Sequence, residues 1–277
     1  MIREFCEKIG FPEEAIIFFC DLYDQVGSAK EWDRAIEAYF NGDEETYKGI
    51  IENISKQKNI HKYSLDMLLL ICCAKPLHEK YREKGYSDDM YWCAMSDLKC
   101  KLLECKKLYN LWGTSTESWF KRFFHCECFA LGRLQFEQVN INYAYKDLIK
   151  AGDLVINCHI PSSGPLTKES VEDAFRQAYD FFGVEGPMYV HCNSWMLYPP
   201  HYKLFPENSN LRRFYDLFDV VHSQPDENLD LWRIFDKNTF EEIVPGDIKS
   251  TLQKNFYEYL KSGNTMGSGK GIHIYNK

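Results

Sequence analysis

The spacing of apolar residues changes its period partway along the chain, and this change most constrains the fold. Up to about residue 115, apolar side chains recur every three or four positions, as in Tyr91, Met95 and Leu98. That spacing places them on one face of an α-helix. Over residues 133–137, apolar and polar side chains instead alternate strictly, which is typical of a β-strand. The sequence therefore predicts a helical first part and a mixed α/β second part.

Five amphipathic stretches predict the helices of the first part. The clearest begins after Ser87 and is expected to end at Gly113, because glycine commonly follows the last turn of a helix. The run from Thr114 to Glu117 has the spacing of a capping box, which predicts a short further helix. The other expected helices end at Gly27 and at residues 41–43, or cover residues 47–54 and 64–84. We expect a helical domain over residues 1–117 and a second domain over residues 118–277.

The second part predicts the element order β-β-β-α-β-α-β-α-β. Strands are expected within residues 126–137 (a strand pair or one bent strand), 153–160, 187–195, 229–235 and 271–275. Helices are expected over residues 167–182, 211–221 and 247–261. The expected fold class is α/β (α+β), a helical bundle followed by a mixed sheet with flanking helices.

Net charge and cysteine content limit the classes of binding partner and the cellular compartment that we expect. The chain has 33 Lys and Arg against 41 Asp and Glu, a net charge of −8, so nucleic acid and anionic membranes are poor candidate partners. The start of the chain has no apolar signal segment, and the apolar stretch 67–74 is too short to span a bilayer. Most of the eleven cysteines lie in apolar periodic segments, which favours free thiols and a cytoplasmic location.

A strand, a loop and a helix over residues 154–182 form the most informative segment. Ser162, Ser163 and Gly164 lie between the strand and the helix, and Thr167 is in position to cap the helix. Backbone N–H groups at such a junction suit an anion such as a pyrophosphate. A tight turn is also what any strand-to-helix connection needs, so both interpretations remain open at this point.

Three segments of the second part, with a fourth pattern after them, resemble a known family. They are residues 129–137 (FALGRLQFE), 159–166 (HIPSSGPL) and 192–199 (CNSWMLYP), and residues 208–211 (NSNL) fit the same pattern. The chain resembles a bacterial family in which a helical acyltransferase N-terminal domain precedes a GNAT-like acyltransferase domain. The resemblance covers nearly the whole chain. In one respect the sequence departs from the usual GNAT phosphate loop, because it has a single glycine, and Pro165 lacks an N–H group.

The resemblance implies a two-domain transferase that uses acyl-CoA, either acetyl-CoA or a longer thioester, and no metal. A small-molecule amine would attack the thioester directly in a ternary complex. Glu137 is the first candidate for the catalytic base, with Glu127 second; His159 could also serve, and Tyr198 could protonate the leaving thiolate. The candidate cofactor-binding residues are Ile160, Ser162, Ser163, Gly164, Leu166 and Thr167. The candidate substrate-binding residues are Arg133, Gln135, Ser194, Trp195 and Asn210.

Each candidate has a structural interpretation beside the catalytic one. Glu137 could simply pair with Arg133, His159 could be a satisfied core histidine, and Tyr198 could be a packing residue. The C-terminal strand could complete the sheet or exchange between the subunits of a homodimer. A degenerate GNAT fold that binds a ligand or a protein without catalysis is the alternative function, since fold alone does not establish activity.

Two further chemistries are weighed and disfavoured. His/Cys neighbours on the expected strands raise the question of zinc, at residues 125–126, 128, 158–159 and 191–192. Adjacent strand residues point to opposite faces, and no Cys-x-x-Cys spacing occurs. A nucleophilic Cys158 or Cys192 would form an acyl-enzyme, but buried strand cysteines are usually inert.

Overall fold

The computed structural model describes residues 2–27, 30–226 and 231–277. The chain divides into two compact units, Met1–Ala130 and Leu131–Lys277. Together they form the expected fold class, helices first and then a mixed sheet with helices.

The first unit is a helical bundle organised around one buried helix. Its helices are α1 (Ile2–Lys8), α2 (Glu13–Val26), α3 (Lys30–Phe40), α4 (Glu44–Lys58), α5 (Lys62–Glu83), α6 (Asp88–Tyr109) and α7 (Glu117–Phe124). Helix α5 is buried on all sides from Ser64 to Ala74 and packs against the six other helices named. A helix that is apolar all round is stable only inside a core, and this explains the apolar stretch 67–74.

The end of α6 differs from the prediction. The helix ends at Asn110, which adopts a left-handed conformation (φ 54°) and donates its N–H to the Lys106 carbonyl. Gly113 serves another purpose, because a Cβ at that position would lie 2.6 Å from the backbone carbonyl of Tyr63. The glycine is therefore required by a close approach of two backbone segments.

The predicted capping box at residues 114–117 is wrong. Helix α7 begins at Glu117, and its N-cap residue Thr116 makes no side-chain cap hydrogen bond. The Glu117 carboxylate instead accepts a 2.7 Å hydrogen bond from the Tyr47 hydroxyl. A tertiary contact has taken the carboxylate that the local motif would have used.

A mixed sheet follows the helices; its first strand begins before the boundary at Ala130, and its other elements belong to the second unit. In chain order the elements are β1 (Cys128–Leu131), β2 (Leu134–Asn140), β3 (Leu154–His159), α8 (Lys168–Phe181), β4 (Met188–Ser194), α9 (Asn210–Tyr215), β5 (Asp219–Pro225), α10 (Leu231–Phe235), α11 (Thr251–Lys261) and β6 (Gly267–Tyr275). The sheet order is β1-β2-β3-β4-β6-β5. Strands β3 and β4 are parallel, whereas β2–β3, β4–β6 and β5–β6 are antiparallel.

The fifth strand lies earlier than predicted. Leu231–Phe235, predicted as a strand, is the helix α10, and residues 229 and 230 lie outside the described residues. Its buried residues Leu231, Ile234 and Phe235 have helical spacing. The actual strand, β5, overlaps the end of the helix predicted over residues 211–221, which stops at Tyr215. Most of β5 is exposed, so it carries no alternating pattern.

Alternate glycines in β6 allow the chain that follows β4 to lie directly on the sheet. A Cβ on Gly269 would lie 2.0 Å from the Leu197 carbonyl oxygen, and one on Gly271 would lie 2.9 Å from the Phe218 Cβ. Leu197 belongs to a short 3₁₀ turn, Trp195–Leu197, immediately after β4. The glycines therefore fix where the chain passes after the end of β4.

Across the described parts of the chain, no helix has both the length and the apolar character needed to cross a membrane.

Candidate functional site

The pairing between the parallel strands β3 and β4 stops before either strand ends. Their pairing positions are Ile156 with Val190 and Asn157 with His191. Strand β3 continues for two residues beyond Asn157, and β4 for three beyond His191. The loop that leads to α8 leaves β3 at this open end. We call the stretch beyond these pairs, between the carboxyl ends of β3 and β4, the gap. In open α/β sheets, ligands bind at the carboxyl ends of the strands.

Polar side chains from three neighbouring strands share one face of the sheet beside this gap. Glu137 of β2 lies opposite Asn157 of β3, and Asn157 lies opposite His191 of β4. His159 is on the same face as Asn157, because strand residues two apart point the same way. The predicted base candidates Glu137 and His159 are thus brought together, which the sequence alone did not establish.

These side chains form one connected hydrogen-bond network. His159 Nε2 lies 2.6 Å from Glu137 Oε1, and Asn157 donates its amide Nδ2 to the same oxygen at 3.0 Å. The Asn157 Oδ1 lies 2.8 Å from His191 Nδ1. His159 Nε2 also lies 2.9 Å from Asn157 Nδ2. An ionised carboxylate can only accept, so we assign a ring proton to His159 Nε2, directed at Glu137. The same reasoning assigns the His191 proton to Nδ1, with the tautomers inferred from the network.

His191 is held neutral. Burial, followed by the charges of Lys270 and His159, lowers its pKa to about 4. Its Nε2 is buried and has no hydrogen-bond partner in the described part of the chain. Tyr143, in the segment after β2, has its ring centre 6.1 Å from that of His191. The Tyr143 hydroxyl is likewise buried without a partner there, and burial raises its pKa to about 12.

Sequence reasoning missed His191 and Tyr143 as members of this face. His191 was considered only as a metal ligand beside Cys192. Tyr143 lies outside the regular strands, so no periodicity marks it. The parallel pairing of Asn157 with His191 is the missing information.

Arg133 contacts the loop between β3 and α8. Its Nη2 donates to the Gly164 carbonyl at 2.9 Å and its Nε to the Pro165 carbonyl at 3.2 Å. Glu137 pairs with His159, and its contact with Arg133, considered from sequence, stays a prediction. Gly164 has a positive φ of 66°, which glycine adopts without steric cost.

The other candidate cofactor-binding residues lie along the same loop. Ser162, Ser163 and Gly164 are exposed, Ile160 is half-buried and Leu166 is buried. Thr167 caps α8, as expected, by accepting a hydrogen bond from the Ser170 N–H at 3.2 Å. Their role in binding a cofactor stays a prediction.

The remaining candidate residues are more dispersed. Gln135 is buried on β2, opposite His159. Ser194 ends β4 and caps the following turn. Trp195 is buried, with its ring 6.0 Å from Phe205 and 5.7 Å from Phe256. The binding roles proposed for these residues stay predictions.

Tyr198 and Asn210 lie beyond the end of β4. The Tyr198 ring packs edge-on against His201 at 4.9 Å and against Gly267. Asn210 begins α9, and its side chain accepts a 3.3 Å hydrogen bond from Arg213. The neighbouring Ser209 makes the N-cap hydrogen bond of that helix. The structure thus gives Asn210 a local partner, and its role in substrate binding stays a prediction.

Two observations concern zinc and a cysteine nucleophile, the chemistries disfavoured from sequence. The described residues contain no group of three or more His, Cys, Asp and Glu side chains that could hold a metal ion. Cys158 and Cys192 are buried and form no disulfide, and they alternate with Asn157, His159 and His191 along their strands. They therefore point to the face opposite the polar network.

Family models match both parts of the chain. A model of the N-acyltransferase N-terminal domain matches residues 1–126, and a model of the GNAT-like C-terminal domain matches residues 128–273. No curated protein matches the chain by sequence.

Several solved structures share the fold over almost the whole chain. One is an acyltransferase in complex with decanoyl-CoA and teicoplanin: 17% identical, TM-score 0.75, covering 99% of this chain and 88% of that one. A mutant acyltransferase in complex with octanoyl-CoA gives the same values. An acyltransferase in complex with decanoyl-CoA is 19% identical, with a TM-score of 0.74, covering 98% and 86%. Since the model of the second domain spans more than half of the sequence, this chain belongs to the family of the GNAT-like C-terminal domain.

Proposed function

We propose that the protein is an acyl-CoA-dependent acyltransferase that acylates a small-molecule amine. The observation that carries the proposal is the Glu137–His159 pair beside the gap between β3 and β4. Membership of the GNAT-like family supports it, as do similar structures that hold decanoyl-CoA or octanoyl-CoA. One of those structures also holds teicoplanin, which supports an acceptor of small-molecule size.

The reaction needs a proton acceptor. A protonated amine has no lone pair, so it must lose a proton before its nitrogen attacks the thioester carbonyl. The C–N bond then forms, the C–S bond breaks, and the CoA thiolate leaves and takes up a proton. Direct attack requires that the protein hold both substrates in contact.

The Glu137–His159 pair is our candidate for the general base. With Nε2 directed at Glu137, Nδ1 is the ring atom that would take the amine proton. The Glu137 carboxylate then stabilises the positive charge that forms on the imidazole. Asn157 holds Glu137 in place from the middle strand. His159 and Glu137 therefore act as one unit.

The departing thiolate needs a proton donor as well. Tyr198 remains our candidate for this role, since it follows β4 and is half-buried. The backbone beyond His191 on β4 offers N–H groups toward the gap, and one such group could polarise the thioester carbonyl.

The loop after β3 is the proposed place for the CoA diphosphate. It connects β3 to α8 and is exposed from Ser162 to Pro165. The positive end of the α8 dipole and the loop N–H groups suit an anion. For the thioester we propose a medium-length acyl chain, as in the similar structures with octanoyl-CoA and decanoyl-CoA.

An assay of amine-dependent CoA release tests this function. The purified protein is incubated with acetyl-, octanoyl- or decanoyl-CoA and a panel of primary amines. Free CoA is measured by chromatography, because the eleven cysteines of the chain would react with a thiol reagent. We expect release that depends on both the amine and the protein.

Two variants sharpen the assay. His159→Gln should lower kcat by about 10²-fold or more, the contribution typical of a general base. The matched control is Gln138→Ala, because Gln138 is exposed on β2 and points to the opposite face from Glu137. Binding of acyl-CoA without any turnover would favour the non-catalytic binding module. Absence of acyl-CoA binding would contradict the proposed function.

A further inference from the structure

The N-terminal turn of α8 has few N–H groups left for a ligand. The Ser170 N–H is bonded to the Thr167 hydroxyl, and the Val171 N–H to the Thr167 carbonyl. The Glu169 carboxylate bonds its own backbone N–H and the Thr167 side chain, and these bonds lower its pKa. This part of the helix end is therefore already capped, and a carboxylate sits beside it.

Donors for a phosphate must then come largely from the loop itself. Pro165 has no N–H group. In the described part of the chain, no hydrogen bond is made by the N–H groups of Leu166, Thr167 and Lys168. The direction in which these groups point decides whether the loop can hold an anion.

Arg133 fixes that direction for the first of them. Its guanidinium holds the carbonyls of two successive residues, Gly164 and Pro165. The Pro165 carbonyl and the Leu166 N–H belong to one peptide group, which is planar and trans, so they point in opposite directions. A Pro165 carbonyl directed at Arg133 therefore directs the Leu166 N–H away from it.

The forked N–H groups of the Arg133 guanidinium are what allow one side chain to hold both carbonyls. Its planar, rigid N–H groups match two acceptors at once, whereas an ammonium is a point charge on a flexible stem. Gly132 supports the turn that carries Arg133, because its Cα lies close against α8: a Cβ there would be 3.1 Å from Gln177 and 3.4 Å from the Ala174 Cα.

We propose that Arg133 is a positioning residue for the CoA diphosphate: it holds the Gly164 and Pro165 carbonyls and so presents the Leu166 N–H to the ligand. This inference rests on the proposed function. It accounts for a phosphate loop with one glycine, since a side chain from the β1–β2 turn supplies the order that a glycine-rich backbone supplies elsewhere. It also gives Arg133 a different role from the direct substrate contact predicted from sequence.

Calorimetry with CoA and decanoyl-CoA tests the inference on the intact protein. Arg133→Met should raise the Kd of both ligands about tenfold, the effect of losing hydrogen bonds to a charged group. Arg133→Lys should bind nearly as weakly, because it keeps the charge and loses the fork. Arg176→Met is the matched control for charge, since Arg176 is exposed on α8 and pairs with Asp173. At saturating acyl-CoA, the kcat of Arg133→Met should stay within about twofold of the wild-type kcat.

Hydrogen exchange of the loop gives a readout that does not need a ligand. The peptide that contains the Leu166 N–H should exchange faster in Arg133→Met than in the wild type or in Arg176→Met. Glu169→Gln should tighten CoA binding, because it removes the carboxylate beside the loop. Wild-type binding in Arg133→Met, or full recovery in Arg133→Lys, would overturn the inference. Weaker binding with unchanged loop exchange would mean direct contact with the phosphate, and would overturn it too.

The two proposals fail in different ways. If the wild type binds neither CoA nor decanoyl-CoA, the proposed function fails. Hydrogen exchange of the loop then still decides whether Arg133 orders it.

Discussion

Two carboxyl groups, Glu137 in the sheet and Asp66 in the helical unit, are held in opposite ways. In the sheet, Glu137 has an imidazole at 2.6 Å and an amide at 3.0 Å. In the helical unit, Asp66 on α5 is only 3% exposed, and its Oδ1 has no partner among the described residues. Another buried carboxylate of that unit, Glu117, adds repulsion to Asp66.

Glu137 has partners and can take part in chemistry, whereas an ionised Asp66 only destabilises the folded state. Burial, and then Glu117, raises the pKa of Asp66 to about 7, while the cations Lys62 and Lys48 oppose the shift. The hydroxyl groups nearby do not relieve it, because those of Tyr47 and Tyr39 donate to the side chain and the backbone carbonyl of Glu117. A buried charge needs a partner to remain ionised, and the Oδ1 of Asp66 has none among the described residues.

The largest effect is expected from removing the charge of Glu137. In Glu137→Gln the amide cannot stabilise a positive imidazole, so kcat should fall by about 10²-fold or more, with the Kd for acyl-CoA unchanged. The measurement is steady-state kinetics alongside calorimetry. A drop confined to affinity would show that Glu137 only shapes the site.

The next effect concerns the stability of the helical unit. The folded pKa of Asp66, about 7, is above the unfolded value of about 3.9, so the folded state binds more protons between those values. The contribution of Asp66 to stability is therefore most favourable below about pH 4, and it is lost as the pH rises through 7. The penalty at pH 8 is on the order of 4 kcal/mol.

Asp66→Asn removes this penalty. Urea titrations should show the variant to be more stable than the wild type at pH 8 by up to about 4 kcal/mol, and by much less at pH 5. Equal differences at the two pH values would contradict the ionisation of a buried Asp66.

A smaller effect is expected at the centre of the sheet network. Asn157→Asp would place a carboxylate beside His191 and raise its pKa from about 4 by roughly one to two units. NMR titration of the imidazole would report the shift. An unchanged value would mean that burial, Lys270 and His159 alone control the pKa of His191.

The smallest effect tests the repulsion between the two helical carboxylates. Glu117→Gln keeps an acceptor for the Tyr47 hydroxyl and removes the charge, so the pKa of Asp66 should fall by less than about one unit, because burial is its main cause. Glu45→Gln, on the exposed side of α4, is the control and should leave that pKa unchanged. A fall of several units would make repulsion the main cause.

Local patterns predicted much of the fold but not the partners of its side chains. The change of period located the helical part and most of the sheet, and Thr167 caps α8 as its residue type suggested. Strand β5 was misplaced because an exposed edge strand has no alternation. Glu117 was assigned to a cap because its contact with Tyr47, 70 positions away, is invisible to local rules.

The site was predicted only in part, again because its contacts join residues that are far apart in the sequence. Glu137 and His159 were chosen separately from sequence, and only the antiparallel pairing of β2 with β3 joins them. His191 and Tyr143 required the parallel pairing of β3 with β4 and the position of a loop. Which side chains meet in the site is therefore decided by the pairing of strands that are distant in sequence.

Mass spectrometry of the protein and its products tests the central claim most directly. The wild type is mixed with decanoyl-CoA and a panel of small primary amines, and both the amines and the intact protein are weighed. The account predicts an amine heavier by one decanoyl group, free CoA in equal amount, and a protein of unchanged mass. A decanoyl group on the protein would indicate an acyl-enzyme, and the absence of any acylated amine would contradict acyl transfer to amines.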